Sequence, residues 1–370
     1  MNIAFTAPMK PLDHPVPSGE RTMGRLIVKG LQHAGHEVRI ASGFRSWQKT
    51  ADDAAQRQRR KEALEEADRI AANWTAENYR PDLFLTYHLY HKAPDWIGPA
   101  LAERFDLPYA IIEASRAPKR RTGPWSFGFA EADRALMRAD RVAALHNADA
   151  GCLIAVLPPE RLTILLPFIE ATPFQAAARA PKPSASGPLK LLTVGMMRAG
   201  DKSRSYEVLA AALRLVDDLP WRLTVIGDGE ARVDILDLLP TERIDWLGAL
   251  DPEELPDHYA RHDLFVWPAI REAFGLVFLE AQAAGLGVIA GDTFGVPDIV
   301  KHGETGLLSA EGDAHELALH LRKVLEQPNL AEHFGKAASR HIAKTHTLAA
   351  GAERLDRFVT AAAQHKSQAS

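Results

Sequence analysis

Across 370 residues there is a single cysteine, Cys152, so an internal disulfide is excluded. Thiol catalysis would need a base partner that the sequence does not identify, and Cys152 reads as a buried structural residue. No charged segment followed by a long apolar run opens the chain, which begins directly on the short strand pattern Asn2-Ile3-Ala4-Phe5-Thr6. The expectation is no signal peptide, no membrane span and a cytoplasmic location. Excess charge is also scarce: a formal net charge of -4 gives no reason to expect nucleic acid as a partner. No short fixed repeat is visible, which argues against a solenoid. The strand-turn at Gly227-Asp228-Gly229 lacks the third glycine of the dinucleotide fingerprint, which argues against a dehydrogenase.

What is present is apolar material for two cores, at 46% hydrophobic residues over a length that suits two ordinary domains. Short apolar runs alternate with longer helical patterns, the signature of parallel α/β architecture. In the first half, strands are expected at Ile3 to Thr6, Val38 to Ala41, Leu83 to Thr86, Tyr109 to Ile112, Val142 to Leu145 and Thr163 to Leu165. An Ala-, Pro- and Ser-rich change at 172–188 reads as a linker, after which the alternation restarts at Leu189. The expected organisation is an N-terminal doubly wound domain over 1–171, the linker at 172–188, a C-terminal domain over 189–345 and a final helical segment over 346–370. The two Rossmann-like domains are expected to face each other across a cleft.

The densest stretch of chemistry is Arg271-Glu272-Ala273-Phe274-Gly275-Leu276-Val277-Phe278-Leu279-Glu280-Ala281. Leu264 to Trp267 reads as a buried parallel strand ending at Pro268, and Phe274 to Ala284 as a helix with Gly285 as its C-cap. Glu272 then precedes the helix, and at about 100° per residue Glu280 turns to the side of Phe274 and Val277. The amides of Phe274, Gly275 and Leu276 form a partial positive pole suited to a diphosphate or a sugar hydroxyl. A carboxylate there accepts hydrogen bonds from vicinal hydroxyls, so one glutamate suits a ribose and the other a hexose. The alternative is that Glu272 caps the helix and Glu280 is a solvated face residue.

The stretch resembles the Glu, seven residues, Glu motif of the retaining GT-B glycosyltransferases of family 4, the glycosyl transferases group 1. In the same order the chain shows Leu192-Thr193-Val194-Gly195, Lys202, Val225-Ile226-Gly227-Asp228-Gly229-Glu230, Trp246-Leu247-Gly248, Gly295-Val296-Pro297-Asp298-Ile299-Val300 and Gly303-Glu304-Thr305-Gly306-Leu307-Leu308. The resemblance covers roughly Leu189 to Leu308 and is much weaker in the first half. It implies an α/β GT-B fold, with the segment after Pro328 packing back onto the first domain. It also implies hexosyl transfer from a UDP- or GDP-sugar to a hydroxyl of a glycan, lipid or small molecule, in glycan, glycolipid or polysaccharide biosynthesis.

Carried over residue by residue, Glu280 would hold the ribose and Glu272 the donor hexose. Gly275, Leu276, Gly195 and Gly227 would line the donor, with Phe274 beside them. The family has an arginine just after the strand-ending glycine, but here Met196 follows Gly195, so Arg198 is expected to join Lys202 in neutralising the diphosphate. Gly19, in Ser18-Gly19-Glu20-Arg21, is the partial match to the family's glycine loop, with a plain helix cap at Ser18 as the alternative. The family histidine after the fourth strand is replaced by Ala114, which leaves Glu113, Ser115 or no residue in its place. In a front-face displacement the leaving phosphate itself can accept the acceptor's proton.

His88 and His91 lie just past a strand end, where open α/β sheets place ligand residues, and His88, Glu113 and Arg116 are the acceptor-side candidates. No third ligand accompanies the two histidines, and the chain has no Asp-X-Asp pair, so no metal and no cofactor beyond the donor are expected. Arg116, Lys119, Arg120 and Arg121, mixed with Trp125 and Phe127, read as a solvated loop or as a surface for a lipid-linked acceptor at the inner face of the membrane. Two other readings stay open. A nucleotide-sugar epimerase of the same fold would need a second acid/base pair, for which Glu113 and His88 are the candidates. A degenerate nucleotide-sugar-binding protein without turnover is suggested by Ala114 and Met196.

Overall fold

The computed structural model describes residues 1–179, 187–273 and 275–369, with side chains described as far as residue 364. Two compact units result: Met1–Pro167 with Leu348–Ser370, and Phe168–Thr347.

In the first unit, β1 (Asn2–Thr6), β2 (Glu37–Ser42), β3 (Leu83–Tyr90), β4 (Tyr109–Ser115), β5 (Arg141–Ala144) and β6 (Leu162–Ile164) form one parallel sheet in the order β2-β1-β3-β4-β5-β6. The central strands are apolar runs because helices cover both faces, and Phe5, Leu85, Ile111 and Val142 are fully buried. The connecting helices are α1 (Gly19–His33), α2 (Asp53–Ala76), α3 (Ile97–Arg104), α4 (Ser126–Arg138) and α5 (Asn147–Ile154). Ser18 caps α1 by accepting from the Arg21 amide at 3.2 Å, and Asp52 caps α2 by accepting from Ala55 at 3.0 Å. The strand order reverses between β1 and β3, the place where open α/β sheets generally leave a crevice outside the C-terminal ends of their strands.

Two strands run further than their apolar runs suggest. β3 continues past Thr86 to Tyr90, and β4 past Ile112 to Ser115. Both carry polar residues into buried positions, because pairing continues through Leu89↔Ala114 and Tyr90↔Ser115.

The second unit contains α6 (Thr172–Ala177), β7 (Leu189–Val194), α7 (Asp201–Arg214), β8 (Trp221–Ile226), α8 (Arg232–Leu238), β9 (Ile244–Trp246), α9 (Leu255–Ala260), β10 (Leu264–Trp267), α10 (Leu276–Ala283), β11 (Gly287–Asp292), α11 (Val296–Ile299), β12 (Gly306–Ala310), α12 (Ala314–Glu326) and α13 (Asn329–Thr345). Its parallel sheet runs β12-β11-β10-β7-β8-β9, the doubly wound order with its reversal between β7 and β10. The segment expected as a linker therefore begins with a helix: α6 packs Phe174 edge-on against Tyr259 of α9, with ring centroids 5.6 Å apart. The rest of that segment, 180–186, lies outside the described residues.

After Thr347 the chain returns to the first unit as α14 (Leu348–Ala369), which lies against α1. His36 Nε2 is 3.1 Å from Asp356 Oδ1, and Arg354 donates to the Leu166 carbonyl at 3.1 Å. Cys152 is half-buried on α5. Among the described residues no helix is long and apolar enough to cross a membrane.

Candidate functional site

In the second unit the loops leaving β7 and β10 flank the sheet's reversal point. The β7 loop is clamped through its backbone: Met197, fully buried, donates its amide to Asp228 O at 3.0 Å and accepts from Ala231 at 3.0 Å. Gly227 sits at φ 144°, and a Cβ there would stand 1.9 Å from Gly195 O. The glycine at 227 thus lets two backbones touch, a packing reason that holds with or without a ligand. Gly195 lies against the Trp267 ring, which a Cβ would approach to 3.1 Å. Beyond it Met196 and Arg198 are half-exposed, and the Arg198 side chain has no hydrogen bond or ion pair among the described residues.

The β10 loop is bent tightly. Ala269 (φ 57°) and Arg271 (φ 51°) hold left-handed backbone, as does Gly275 (φ 57°). Ser205 accepts from the Ile270 amide at 3.0 Å, and Glu311 accepts from the Arg271 amide at 3.1 Å, so neighbouring elements fix the strained backbone. The loop delivers Glu272 onto Lys202, in the first turn of α7, where the ammonium and the Glu272 carboxylate form an ion pair. The same ammonium lies 5.3 Å from the centroid of Trp267. Both pair members are partly exposed, at 28% and 19% for Lys202 and Glu272.

Helix α10 starts at Leu276, two residues later than expected, because Gly275 is its left-handed N-cap and not a helical residue. A Cβ at 275 would stand 2.3 Å from the Phe278 ring, so only glycine fits. Among the described residues no side chain caps α10, and while the Phe278 amide donates to Gly275 O at 2.8 Å, those of Leu276 and Val277 have no acceptor there. Phe274 lies outside the described residues. Glu280 accepts from the Tyr259 hydroxyl at 2.9 Å. Burial pushes the Glu280 carboxyl above its ordinary range, and the Tyr259 hydrogen bond offsets part of that rise. Tyr259 is a partner that sequence reasoning missed, since it comes from a helix two elements away.

In the first unit three side chains meet at the C-terminal edge of the sheet. His88 on β3 and Glu113 on β4 share one rung between the pairs Tyr87↔Ile112 and Leu89↔Ala114. Both are left-handed, at φ 63° and 64°. His88 Nδ1 is 2.8 Å from Glu20 Oε1, in the first turn of α1, and 3.6 Å from Glu113 Oε2. Burial lowers the His88 pKa, but the carboxylates of Glu113 and Glu20 outweigh it and lift the imidazole to about 10. Burial pushes Glu113 well above the usual carboxylate range, His88 works against that, and Glu20 and Asp149 add to it. Asp149 is itself held by Ser115 Oγ at 3.2 Å and His146 Nε2 at 3.1 Å. Glu20 was not singled out from the sequence, although its place just after Gly19, at the start of a helix, was the available signal.

The remaining candidates are held elsewhere. Arg116 is occupied by Asp133 in a two-pronged pair at 2.8 and 2.9 Å and stacks on Phe129, so its guanidinium supports α4 and is not free for an acceptor. His91 is buried beside Tyr90 and Trp125, apart from His88. Its pKa falls to about 4 through burial and the charges of Arg120 and Lys92. Gly19 opens α1, and a Cβ there would meet nothing within 4 Å. Arg21 donates to His14 O at 2.7 Å and ties down the long loop after β1.

Residues 175–341 match the sequence model of the family glycosyl transferases group 1. The chain is 37% identical over 155 residues to the sulfoquinovosyl transferase SQD2 of Arabidopsis thaliana, a match covering 41% of the chain and 30% of that protein. It is 27% identical over 348 residues to the glycogen synthase of Mycobacterium tuberculosis, covering 90% of the chain and 79% of that protein. Among solved structures it resembles Anabaena HepE in complex with UDP, with a TM-score of 0.72 at 16% identity over 97% of this chain and 100% of that one. The chain spans less than a third of the plant relative's length. With two doubly wound six-stranded sheets the chain has the GT-B fold, and within its second unit residues 175–341 match the group 1 glycosyl transferases.

Proposed function

We propose that this protein transfers a hexosyl group, with retention of configuration, from a nucleoside diphosphate sugar to a hydroxyl acceptor. The observation that carries the reading is the meeting of Lys202 and Glu272 where the second sheet reverses, beside the uncapped N-terminus of α10. Lys202, with Arg198 two residues after Met196, neutralises the diphosphate as it leaves, with no divalent ion required there. Glu272 accepts from the donor hexose, Glu280 from the ribose, and the amides of Gly275 and Leu276 face the phosphates. UDP and GDP are the proposed nucleotides, and the UDP complex of HepE supports the first. The acceptor is a glycan, lipid or small molecule. For a lipid-borne acceptor, exposed Lys119 and Arg121 would meet the anionic inner face of the membrane, with the enzyme cytoplasmic.

The test is a thermal-shift screen against UDP, GDP, ADP and their common sugar conjugates, with Glu280→Ala alongside. A rise with one nucleotide that the variant loses supports the donor site and selects the substrate for a turnover assay. No rise with any of them in well-folded protein refutes it and favours a binding-dead scaffold.

One observation favours a second reading. His88 and Glu113, the acid/base pair that isomerisation would require, lie 3.6 Å apart. Isomerisation returns a nucleotide sugar with an altered hexose, whereas transfer releases free nucleoside diphosphate, and chromatography of the reaction mixture separates the two.

A further inference from the structure

Glu20, His88 and Glu113 come from α1, β3 and β4, yet His88 Nδ1 and one carboxylate oxygen of each glutamate all lie within 4.8 Å of one another. We propose that this cluster binds one divalent transition-metal ion, zinc foremost, through one imidazole nitrogen and two carboxylate oxygens. Sequence reading set a metal aside because His88 and His91 lacked a third ligand. The fold replaces His91 with two carboxylates that are 68 residues before and 25 residues after His88 in the chain, as the separations of Glu20 and Glu113 show.

The donor set is of mixed type. One nitrogen and two oxygens suit zinc or a similar first-row ion better than calcium or magnesium, which favour all-oxygen shells. Three protein ligands leave a position for water or for a substrate hydroxyl, the pattern of open zinc sites.

Three features beyond the clustering point to a bound cation. Glu113 is only 3% exposed, and its Oε2 has no hydrogen-bond partner, with His88 Nδ1 3.6 Å away, a long contact for a carboxylate oxygen held out of water. Tyr87, next to His88, is fully buried, and its hydroxyl has no hydrogen-bond partner within geometric reach. Such a hydroxyl suits the outer support that metal-bound carboxylates normally have. Finally, His88 and Glu113 both hold left-handed backbone, a strain of roughly 1–3 kcal/mol per residue that persists where the surroundings fix a functional geometry. A proton on His88 explains the 2.8 Å contact to Glu20 but leaves Glu113 Oε2 at 3.6 Å, beyond hydrogen-bond reach. All three ligand residues belong to the first unit.

The full chain is stripped with a chelator and titrated with zinc sulfate, manganese chloride and magnesium chloride separately, with melting temperature and bound metal per chain as readouts. Cobalt chloride supplies a spectroscopic signature, visible absorption from a low-coordinate nitrogen–oxygen site. The expected result is one zinc per chain, a higher melting temperature, and cobalt absorption that Glu113→Gln and His88→Gln both abolish. Each variant should lose more than the ~10–100-fold in affinity that follows removal of an outer-shell partner. Glu113→Gln removes a buried charge and keeps the shape, so its fold is checked by melting in metal-free buffer. Less than a tenth of an equivalent of any metal, or binding that neither variant weakens, overturns the proposal and leaves a protonated His88 as the occupant. A nucleotide shift retained in these variants separates this outcome from failure of the donor site.

Discussion

Lys202 and Glu272 pair across the point where the second sheet reverses, one from the first turn of α7 and the other from the strained loop after β10. A donor diphosphate would compete with Glu272 for the ammonium, freeing the carboxylate for a sugar hydroxyl. Lys202→Met is expected to lower the turnover number by ~100–1,000-fold, the effect of losing one group that stabilises developing charge. Stability should change little, because a partly exposed pair contributes only about 0–1 kcal/mol. Steady-state release of nucleoside diphosphate, with urea unfolding of the same variant, checks both halves.

Glu280 gives a pH prediction. Burial raises its pKa, so the folded protein takes up this proton at a higher pH than the unfolded chain does. The charged carboxyl therefore costs stability above its unfolded pKa, and that cost disappears as pH falls through the folded value. Nucleotide affinity runs the other way, since only the carboxylate accepts two ribose hydroxyls. Calorimetric affinity for the cognate nucleotide should fall as pH is lowered into this range, and Glu280→Gln should bind weakly with no such dependence.

Two of the glycines proposed for the donor side, Gly227 and Gly19, differ in kind. Gly227→Ala sets a Cβ 1.9 Å from Gly195 O and should destabilise the protein by at least ~1–3 kcal/mol, the usual penalty for overpacking. Gly19→Ala meets nothing within 4 Å and lies in a helix, where alanine is favoured by roughly 0.5–1 kcal/mol. Its melting temperature should hold or rise. A drop in donor affinity in Gly19→Ala would then report close approach of the ligand to this backbone, and an unchanged affinity would remove Gly19 from the site.

His91 gives the opposite sign to His88. With its pKa lowered to about 4, His91 stays neutral in the folded state while the unfolded chain protonates near the ordinary value of 6.5. Its contribution is complete above that value and is lost as pH falls from 6.5 towards 4. His91→Gln should flatten the melting-temperature profile across that window and leave it unchanged above pH 7.

The parts of this protein that were legible in the sequence are those whose physics is local. Leu264 to Trp267 is a strand at the residues expected, because four apolar residues before a proline need no partner to be recognised. Gly285, at φ 77°, ends α10 as a left-handed residue should. The start of that helix was misplaced because Gly275 can cap or continue a helix, and only the Phe278 ring behind it decides. His88 and Glu113 were named together as a candidate acid/base pair. The rung that joins them was not legible, since apolar runs end at Thr86 and Ile112 whereas the strands continue by four and three residues, and Glu20 arrives from another element altogether. Arg116 looked available because sequence shows a cation but not the Asp133 that occupies it.

The return of α14 to the first unit gives the chain an order of completion. The second unit begins at Phe168 and ends at Thr347, where Ile169 N donates to His346 O at 2.9 Å, so its two ends are stitched side by side. The first unit, whose six strands are made before the second unit, lacks the helix that lies on α1 until Leu348–Ala369 is made. Synthesis therefore finishes the inserted unit before the one that encloses it in sequence, and a stop codon near position 347 would leave the late half whole and the early half unfinished.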